Sequence, residues 1–380
     1  MQIKEKVLIL FSNYGEGHQQ AARAIADAAQ LYPEGVETCL IDVMEWAYPF
    51  FNSISRSIFI QGVKSFPTLY GRLYEKSRDE HSFFLNQILH LGMMRIRKLI
   101  EKIEPSVVVS TFPIASGIMS MLKINRFTDI PTVTVITDYS THSYWVHPHT
   151  DLYVVGSEGV RKQLHAYAIP DSLIKVTGIP VRSKFCHTYD TSQLAAKYKL
   201  DPNKPVVLVM GGGYGIIDDG LLKALEAVKQ KFQLIIVCGH NRRLRKHLEK
   251  QVNNFHHPTV VTGYIDFVHE LMALADVMIT KPGGITISEG IALQLPMLLY
   301  KPLPGQEQEN AKFLTQSQVA MQASSMSEVS SALSSLLTSP MMRERLKANA
   351  KKLHNTTASS RTLDAILAIC KKKSLSLSNT

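Results

Sequence analysis

Twice in this chain a short apolar run leads straight into a glycine-rich turn, and each time it opens a long alternation of apolar runs with helix-length segments. Residues 7–11 lead into Asn13-Tyr14-Gly15-Glu16-Gly17, and residues 206–210 into Gly211-Gly212-Gly213-Tyr214-Gly215. Further strand candidates lie at 38–42, 107–111, 132–137, 152–155, 175–177, 234–238, 260–262, 277–280 and 297–300. Helix-length segments such as 19–31, 221–231 and 285–293 separate them. Strands that are apolar at every position are buried on both faces, which requires parallel sheets covered by helices. The fold class is therefore α/β, with two doubly wound halves.

Length agrees with two halves. The chain has 380 residues, beyond the roughly 250–300 at which one core stops growing. The expected division is a first domain over 1–185, a polar linker over 186–204 and a second domain over 205–352. A return segment over 353–380 ends in a lysine- and serine-rich tail, 371–380, that composition assigns to disorder.

Charge and cysteines narrow the partners. The formal net charge is +10, which favours an anionic partner without choosing a phosphorylated ligand, an anionic lipid surface or nucleic acid. Arg242, Arg243, Arg245 and Lys246 cluster, yet no nucleic-acid-binding module accompanies them, so no nucleic-acid partner is expected. The four cysteines are scattered with no CxxC pair, so neither a zinc framework nor a disulfide scaffold is indicated. His142, His147 and His149 match no established zinc spacing, and no metal site is expected. Residues 7–11 are too short for the apolar core of a signal peptide. No apolar stretch is long enough to span a bilayer. The segment 46–101 breaks the strand–helix alternation and interleaves aromatic residues, among them Trp46, Tyr48, Phe59 and Phe66, with Arg56, Lys64, Arg72, Arg95 and Lys98. Such a stretch either lies in a bilayer interface or forms core-facing helices with solvated basic faces.

Chemistry concentrates where strands end. Gly15 and Gly17 let backbone approach a ligand closely at a helix start, where negative charge is favoured. His18 follows at the top of the sheet, placed to take a proton from an attacking hydroxyl. Gly211, Gly212 and Gly213 repeat the device in the second half, with open N–H groups suited to phosphate oxygens. Gly283 and Gly284 open another helix, and Glu289 further along it has the two oxygens that a ribose diol needs. The segment 304–310, with Gln306 and Glu307, reads as a loop dense in planar groups for sugar hydroxyls. Asp138 sits at the end of the strand 132–137, where it can assist or orient a base. Asp218 and Asp219 are adjacent rather than spaced for a metal, and begin the next helix.

Taken together, these motifs resemble one glycosyltransferase family. It holds the plant monogalactosyldiacylglycerol synthases and the bacterial diacylglycerol glucosyltransferases, and is related to the lipid II N-acetylglucosaminyltransferase. The resemblance rests on NYGEGHQQAA at 13–22, STFPIAS at 110–116, VITDYSTHSYWVHPHTDLYVVGSE at 135–158, KVTGIPVR at 175–182, MGGGYG at 210–215, GYIDFVHELMALADVMITKPGGITISEGIA at 263–292 and PGQEQENA at 304–311. It implies a GT-B fold, two Rossmann-like domains facing across a cleft. It implies that Gly211, Gly212, Gly213, Gly283 and Gly284 hold the donor diphosphate, that Thr286 is among the donor-binding residues, that Glu289 binds the ribose, that Gln306 and Glu307 contact the sugar and that Ile265 meets the uracil. His18, with Asp138 as alternative base or orienting partner, falls on the acceptor side, and Gly15 and Gly17 before it are expected among the ligand-binding residues. The expected partners are UDP-glucose or UDP-galactose, diacylglycerol or a related lipid, and an anionic membrane surface met peripherally at the inner face of the cell membrane. UDP-sugar is a co-substrate, and no cofactor is expected. The chain departs from the plant pattern at Glu16, where those relatives carry a third glycine. The rival readings are a UDP-N-acetylglucosamine-dependent transferase acting on a polyprenyl-linked acceptor, a UDP-sugar epimerase and a non-enzymatic UDP-sugar sensor.

Overall fold

A computed structural model describes residues 4–49, 83–213 and 217–378. The chain divides into two compact units, one of Met1–Ser183, Pro304–Gln306 and Asn355–Thr380, the other of Lys184–Leu303 and Glu307–His354.

The first unit runs β1 (Lys6–Phe11), α1 (Glu16–Gln30), β2 (Glu37–Asp42), α2 (Val43–Ala47), α3 (Phe83–Ile103), β3 (Val107–Ser110), α4 (Pro113–Ile124), β4 (Thr132–Val135), β5 (Leu152–Val155), α5 (Glu158–Ala166) and β6 (Ile174–Val176). Its six strands are parallel in the order β2-β1-β3-β4-β5-β6. The strand β1 shows why the sequence reads as continuously apolar. Val7 and Ile9 pack with Ala22 and Ile25 of α1, while Leu8 and Leu10 pack on the other face with Ile96 of α3 and Ile118 of α4. All four are fully buried, each contributing about 1.5–3 kcal/mol of hydrophobic stabilisation.

The second unit runs α6 (Thr191–Lys197), β7 (Val206–Met210), α7 (Asp219–Glu226), β8 (Gln233–Val237), α8 (Arg242–Gln251), β9 (Thr259–Thr262), α9 (Val268–Leu274), β10 (Val277–Thr280), α10 (Gly284–Ala292), β11 (Met297–Tyr300), α11 (Gln306–Gln316), β12 (Ala320–Ala323), α12 (Met326–Thr338) and α13 (Pro340–Leu353). Its six parallel strands are ordered β12-β11-β10-β7-β8-β9. The last helix, α14 (Ala358–Ser378), belongs to the first unit. There Thr177 and Thr362 join their hydroxyls at 2.9 Å, and Ser359 donates to the carbonyl of Val181 at 2.7 Å.

Every strand read from the sequence is present, and the fold class is GT-B as expected. Three details differ from expectation. The strand β12 adds an edge next to β11. The tail is helical to Ser378 instead of disordered, because 358–378 contains neither glycine nor proline to stop α14. The segment 304–310 is a loop only up to Gly305, and Gln306 already starts α11. Within 186–204, the helix α6 is anchored to the second unit, since Tyr198 donates its hydroxyl to Glu270 at 2.6 Å. Among the described residues no helix is long and apolar enough to cross a membrane.

Candidate functional site

In an open parallel sheet, ligands bind beyond the carboxyl ends of the strands where the strand order reverses. In the first unit that reversal falls between β1 and β3. The turn after β1 delivers Gly15 as N-cap of α1, with no side-chain cap hydrogen bond from that residue. Asp42 holds this turn from β2: its carboxylate accepts from the Asn13 N–H at 3.1 Å and caps α2 through Met44 and Glu45.

His18 stands in the first turn of α1. The Thr111 hydroxyl, from the end of β3, donates to its carbonyl at 2.9 Å. Its ring packs edge-on against Phe112 and beside Trp145, with centroids at 5.1 and 6.0 Å. Part of the residue stays accessible, yet the neighbours crowd the ring enough that burial lowers its pKa to about 4, opposed by the Thr111 backbone. The ring hydrogen bond joins Nδ1 to the Thr137 hydroxyl at 3.2 Å. Asp138, part-buried, follows Thr137 directly in the chain. The arrangement can hold a neutral imidazole with one nitrogen engaged and the other available as a proton acceptor.

In the second unit the reversal lies between β7 and β10. Met210 pairs with Thr280 in register, and the Thr280 hydroxyl donates to the Met210 carbonyl at 3.2 Å. The starts of the two glycine segments, at Gly211 and Lys281, therefore leave neighbouring strand ends. Gly212 has φ +69, a conformation that favours glycine. Tyr214 and Gly215 lie outside the described residues. Gly283 caps α10 without a side-chain hydrogen bond. Its φ of −68 suits any residue, and a Cβ added there would meet nothing within 4 Å. Packing thus does not demand glycine at 283, while the open space above it admits a ligand against Gly284 and part-buried Thr286. Glu289 is buried in the same helix.

Gly239 and His240, not singled out by sequence, join these. Gly239, after β8, has φ +55, and the N–H of His240 donates to the Gly213 carbonyl at 2.8 Å. His240 stacks on Tyr264 at 4.3 Å, directly before part-buried Ile265. Asn310, fully buried, donates to the Pro282 carbonyl at 3.0 Å and fixes the approach to α10. Glu307 accepts from the Leu303 N–H at 2.7 Å, so one of its oxygens shapes the turn before α11. Gln306 groups with the first unit. Asp218 caps α7 and accepts from Lys301 at 3.0 Å, while Asp219 is the first residue of that helix.

His142 and His147 are buried and bonded within their own loop, through the Tyr144 N–H and carbonyl respectively. Among the described residues, no group of three or more His, Cys, Asp or Glu could hold a metal ion. Most of the segment 46–101 lies outside the described residues. The described part divides between the two readings, with Tyr48, Met93 and Ile96 in the core and Trp46, Leu91 and Met94 exposed.

Two parallel six-stranded units, each with a glycine-started helix at its reversal point, define the GT-B fold. The family model of monogalactosyldiacylglycerol (MGDG) synthase matches residues 18–181, and that of the glycosyltransferase family 28 C-terminal domain matches 206–365. Among relatives, the processive diacylglycerol beta-glucosyltransferase of Bacillus licheniformis is 32% identical over 365 residues, 94% of each chain. The enzyme of that name from Bacillus subtilis is 32% identical over 97% of this chain and 96% of its own. Of solved structures, MurG from Acinetobacter baumannii aligns over 96% of this chain and 99% of its own, with a TM-score of 0.65 at 12% identity, a likeness of fold. The chain belongs to the diacylglycerol glucosyltransferase and monogalactosyldiacylglycerol synthase family.

Proposed function

We propose that this protein moves a hexose from a UDP-sugar, with UDP-glucose first and UDP-galactose second, to the hydroxyl of diacylglycerol, forming a glycosyldiacylglycerol with inversion at the anomeric carbon. It is a UDP-sugar-dependent hexosyltransferase. The observation that carries this reading is the near-full-length likeness to enzymes named processive diacylglycerol beta-glucosyltransferases. A beta product from an alpha-linked donor is an inversion, which needs one displacement and one base. His18 offers that base: its Nδ1 is engaged by Thr137, and the residue remains partly accessible. In the step, the acceptor O–H bond breaks and its proton goes to the imidazole. The oxygen bonds to the anomeric carbon, and the bond to the diphosphate breaks with its electron pair on UDP. N–H groups at Gly211 to Gly213 and at the start of α10 stabilise the leaving diphosphate, so its charge can be met without a metal. Glu289 takes the ribose hydroxyls, Gln306 and Glu307 the sugar, and Ile265 the uracil. Asp138 remains the alternative base.

The protein works peripherally at the inner face of the cell membrane. Exposed Trp46, Leu91 and Met94, with Arg95 and Lys98 also exposed on α3, support contact with an anionic lipid surface. The polyprenyl-linked alternative has only the fold likeness to MurG behind it.

The test is to incubate purified protein with diacylglycerol vesicles and a panel of UDP-sugars, and to identify the lipid products. Glucosyldiacylglycerol, extended to a diglucosyl lipid as a processive enzyme would give, is expected. Transfer only to a polyprenyl-linked saccharide would sink the reading. Glu289→Ala should weaken UDP-sugar binding about 10- to 100-fold, the loss of hydrogen bonds to a charged group. Unchanged affinity by calorimetry would remove the ribose assignment.

A further inference from the structure

His18 is pinned by two threonines from adjacent strand ends. Thr111, after β3, holds its main chain through the 2.9 Å bond to the carbonyl. Thr137, after β4, reaches the ring itself at Nδ1. Both are buried, at 0 and 3% exposure. A β-branched side chain has few χ1 choices, so a buried threonine at a strand end places its hydroxyl oxygen firmly. We propose that Thr137 is the positioning residue of His18: its oxygen accepts the Nδ1 proton, fixes the tautomer whose lone pair is on Nε2, and aims that nitrogen at the acceptor hydroxyl. The inference rests on the reading of His18 as base and specifies what makes it one.

A histidine base needs one nitrogen protonated and held and the other bare, and the hydrogen bond made by the first decides which is which. In serine hydrolases a carboxylate plays this part and also stabilises the imidazolium. A hydroxyl orients without adding charge. The groups packed on the ring, Phe112, Trp145 and Thr137, carry none. The carboxylates flanking the assembly in sequence are Glu16 on α1 and Asp138 after Thr137, and neither is a cause of the lowered pKa of the ring, which is set by burial against the Thr111 backbone. The ring therefore rests neutral at physiological pH, ready to accept. Once the acceptor proton is on Nε2, the lowered pKa of the ring returns it to solvent, which resets the base.

The experiment uses the full chain with UDP-glucose and diacylglycerol vesicles, comparing Thr137→Val, Thr137→Ser and Thr137→Asp. Valine keeps shape and loses the acceptor; kcat should fall about 10- to 100-fold, the loss found when the hydrogen-bond partner of a metal-bound histidine is removed, with KM for both substrates unchanged. Serine should restore most of the rate. Aspartate should move the acid limb of the kcat/KM profile upward by more than one pH unit, since an anion beside the ring favours the imidazolium. Nitrogen-15 spectra of the substrate-free protein give a readout apart from turnover: the His18 signals should show the Nδ1–H tautomer in the wild type and a mixture in Thr137→Val. Wild-type turnover in Thr137→Val, or serine as impaired as valine, overturns the inference. So does an Nε2–H tautomer in the wild type, even with His18→Ala inactive, in which case His18 still matters but Thr137 does not set its base form. Full turnover in His18→Ala instead brings down the base reading, and this inference with it.

Discussion

His18→Ala should lower kcat by about 100- to 10,000-fold, the range that a positioned general base supplies, while UDP binds the variant with unchanged affinity. The split follows from where the residue sits. His18 belongs to the turn and helix start of the first unit, whereas the glycine segments read as the diphosphate site belong to the second. Its main chain is held by Thr111 and its ring by Thr137, so truncation leaves the turn in place. Turnover on diacylglycerol vesicles and calorimetry with UDP check the two halves of the statement, and wild-type turnover would eliminate His18 as base.

The pH dependence has a definite sign. Burial holds the ring near a pKa of about 4, below the 6.5 of a free histidine. The base form is therefore intact through neutral pH, and kcat/KM should fall only as pH drops toward 4. An acid limb centred near 6.5 would contradict the lowered value. The same shift links to stability. Between 6.5 and 4 the unfolded chain binds more protons at this site than the folded one. The contribution of His18 to stability is complete above pH 6.5 and is lost as pH falls through 4. His18→Ala should accordingly show a weaker acid sensitivity of its melting temperature over that interval.

Much of this was readable in the sequence because of how parallel sheets bury their strands. Val7 to Leu10 face two cores at once, so the run is apolar without alternation. The strand β12 escaped because AMQA is an edge strand with a half-exposed pattern and pairs only with β11. The tail misled through composition: lysines and serines read as disorder, yet nothing between 358 and 378 interrupts a helix. Site residues divide in the same manner. Gly211 to Gly213 and Gly283-Gly284 announce themselves by clustering. Asn310, Gly239 and Thr137 do not, because their contacts are with other elements distant in sequence: the Pro282 carbonyl, the turn after β7 and the ring on α1. A solitary glycine after β8 looks like any other turn, and a threonine at a strand end looks like a strand residue.

That solitary glycine carries the second large effect. Gly239→Ala should weaken UDP binding at least tenfold and lower the melting temperature by several degrees. Gly239 has φ +55, which costs a residue with a side chain about 1–2 kcal/mol. Space is the larger obstacle. A Cβ at 239 would lie 2.4 Å from the Gly213 carbonyl oxygen and 2.8 Å from that of Gly212. Both are backbone atoms, so no side chain can swing aside; the turn after β7 must move and give up the bond from the His240 N–H to Gly213. In a unit of this size each 1 kcal/mol lost shifts the midpoint by about 2–4 °C. Gly283→Ala separates strain from ligand contact. Its φ of −68 and the empty space around an added Cβ predict an unchanged melting temperature, so weaker UDP binding in that variant reports a methyl group standing where the diphosphate lies. If Gly239→Ala binds UDP as tightly as the wild type, the turn at Gly211 to Gly213 does not grip the nucleotide. If Gly283→Ala does so as well, the diphosphate is held elsewhere in the protein.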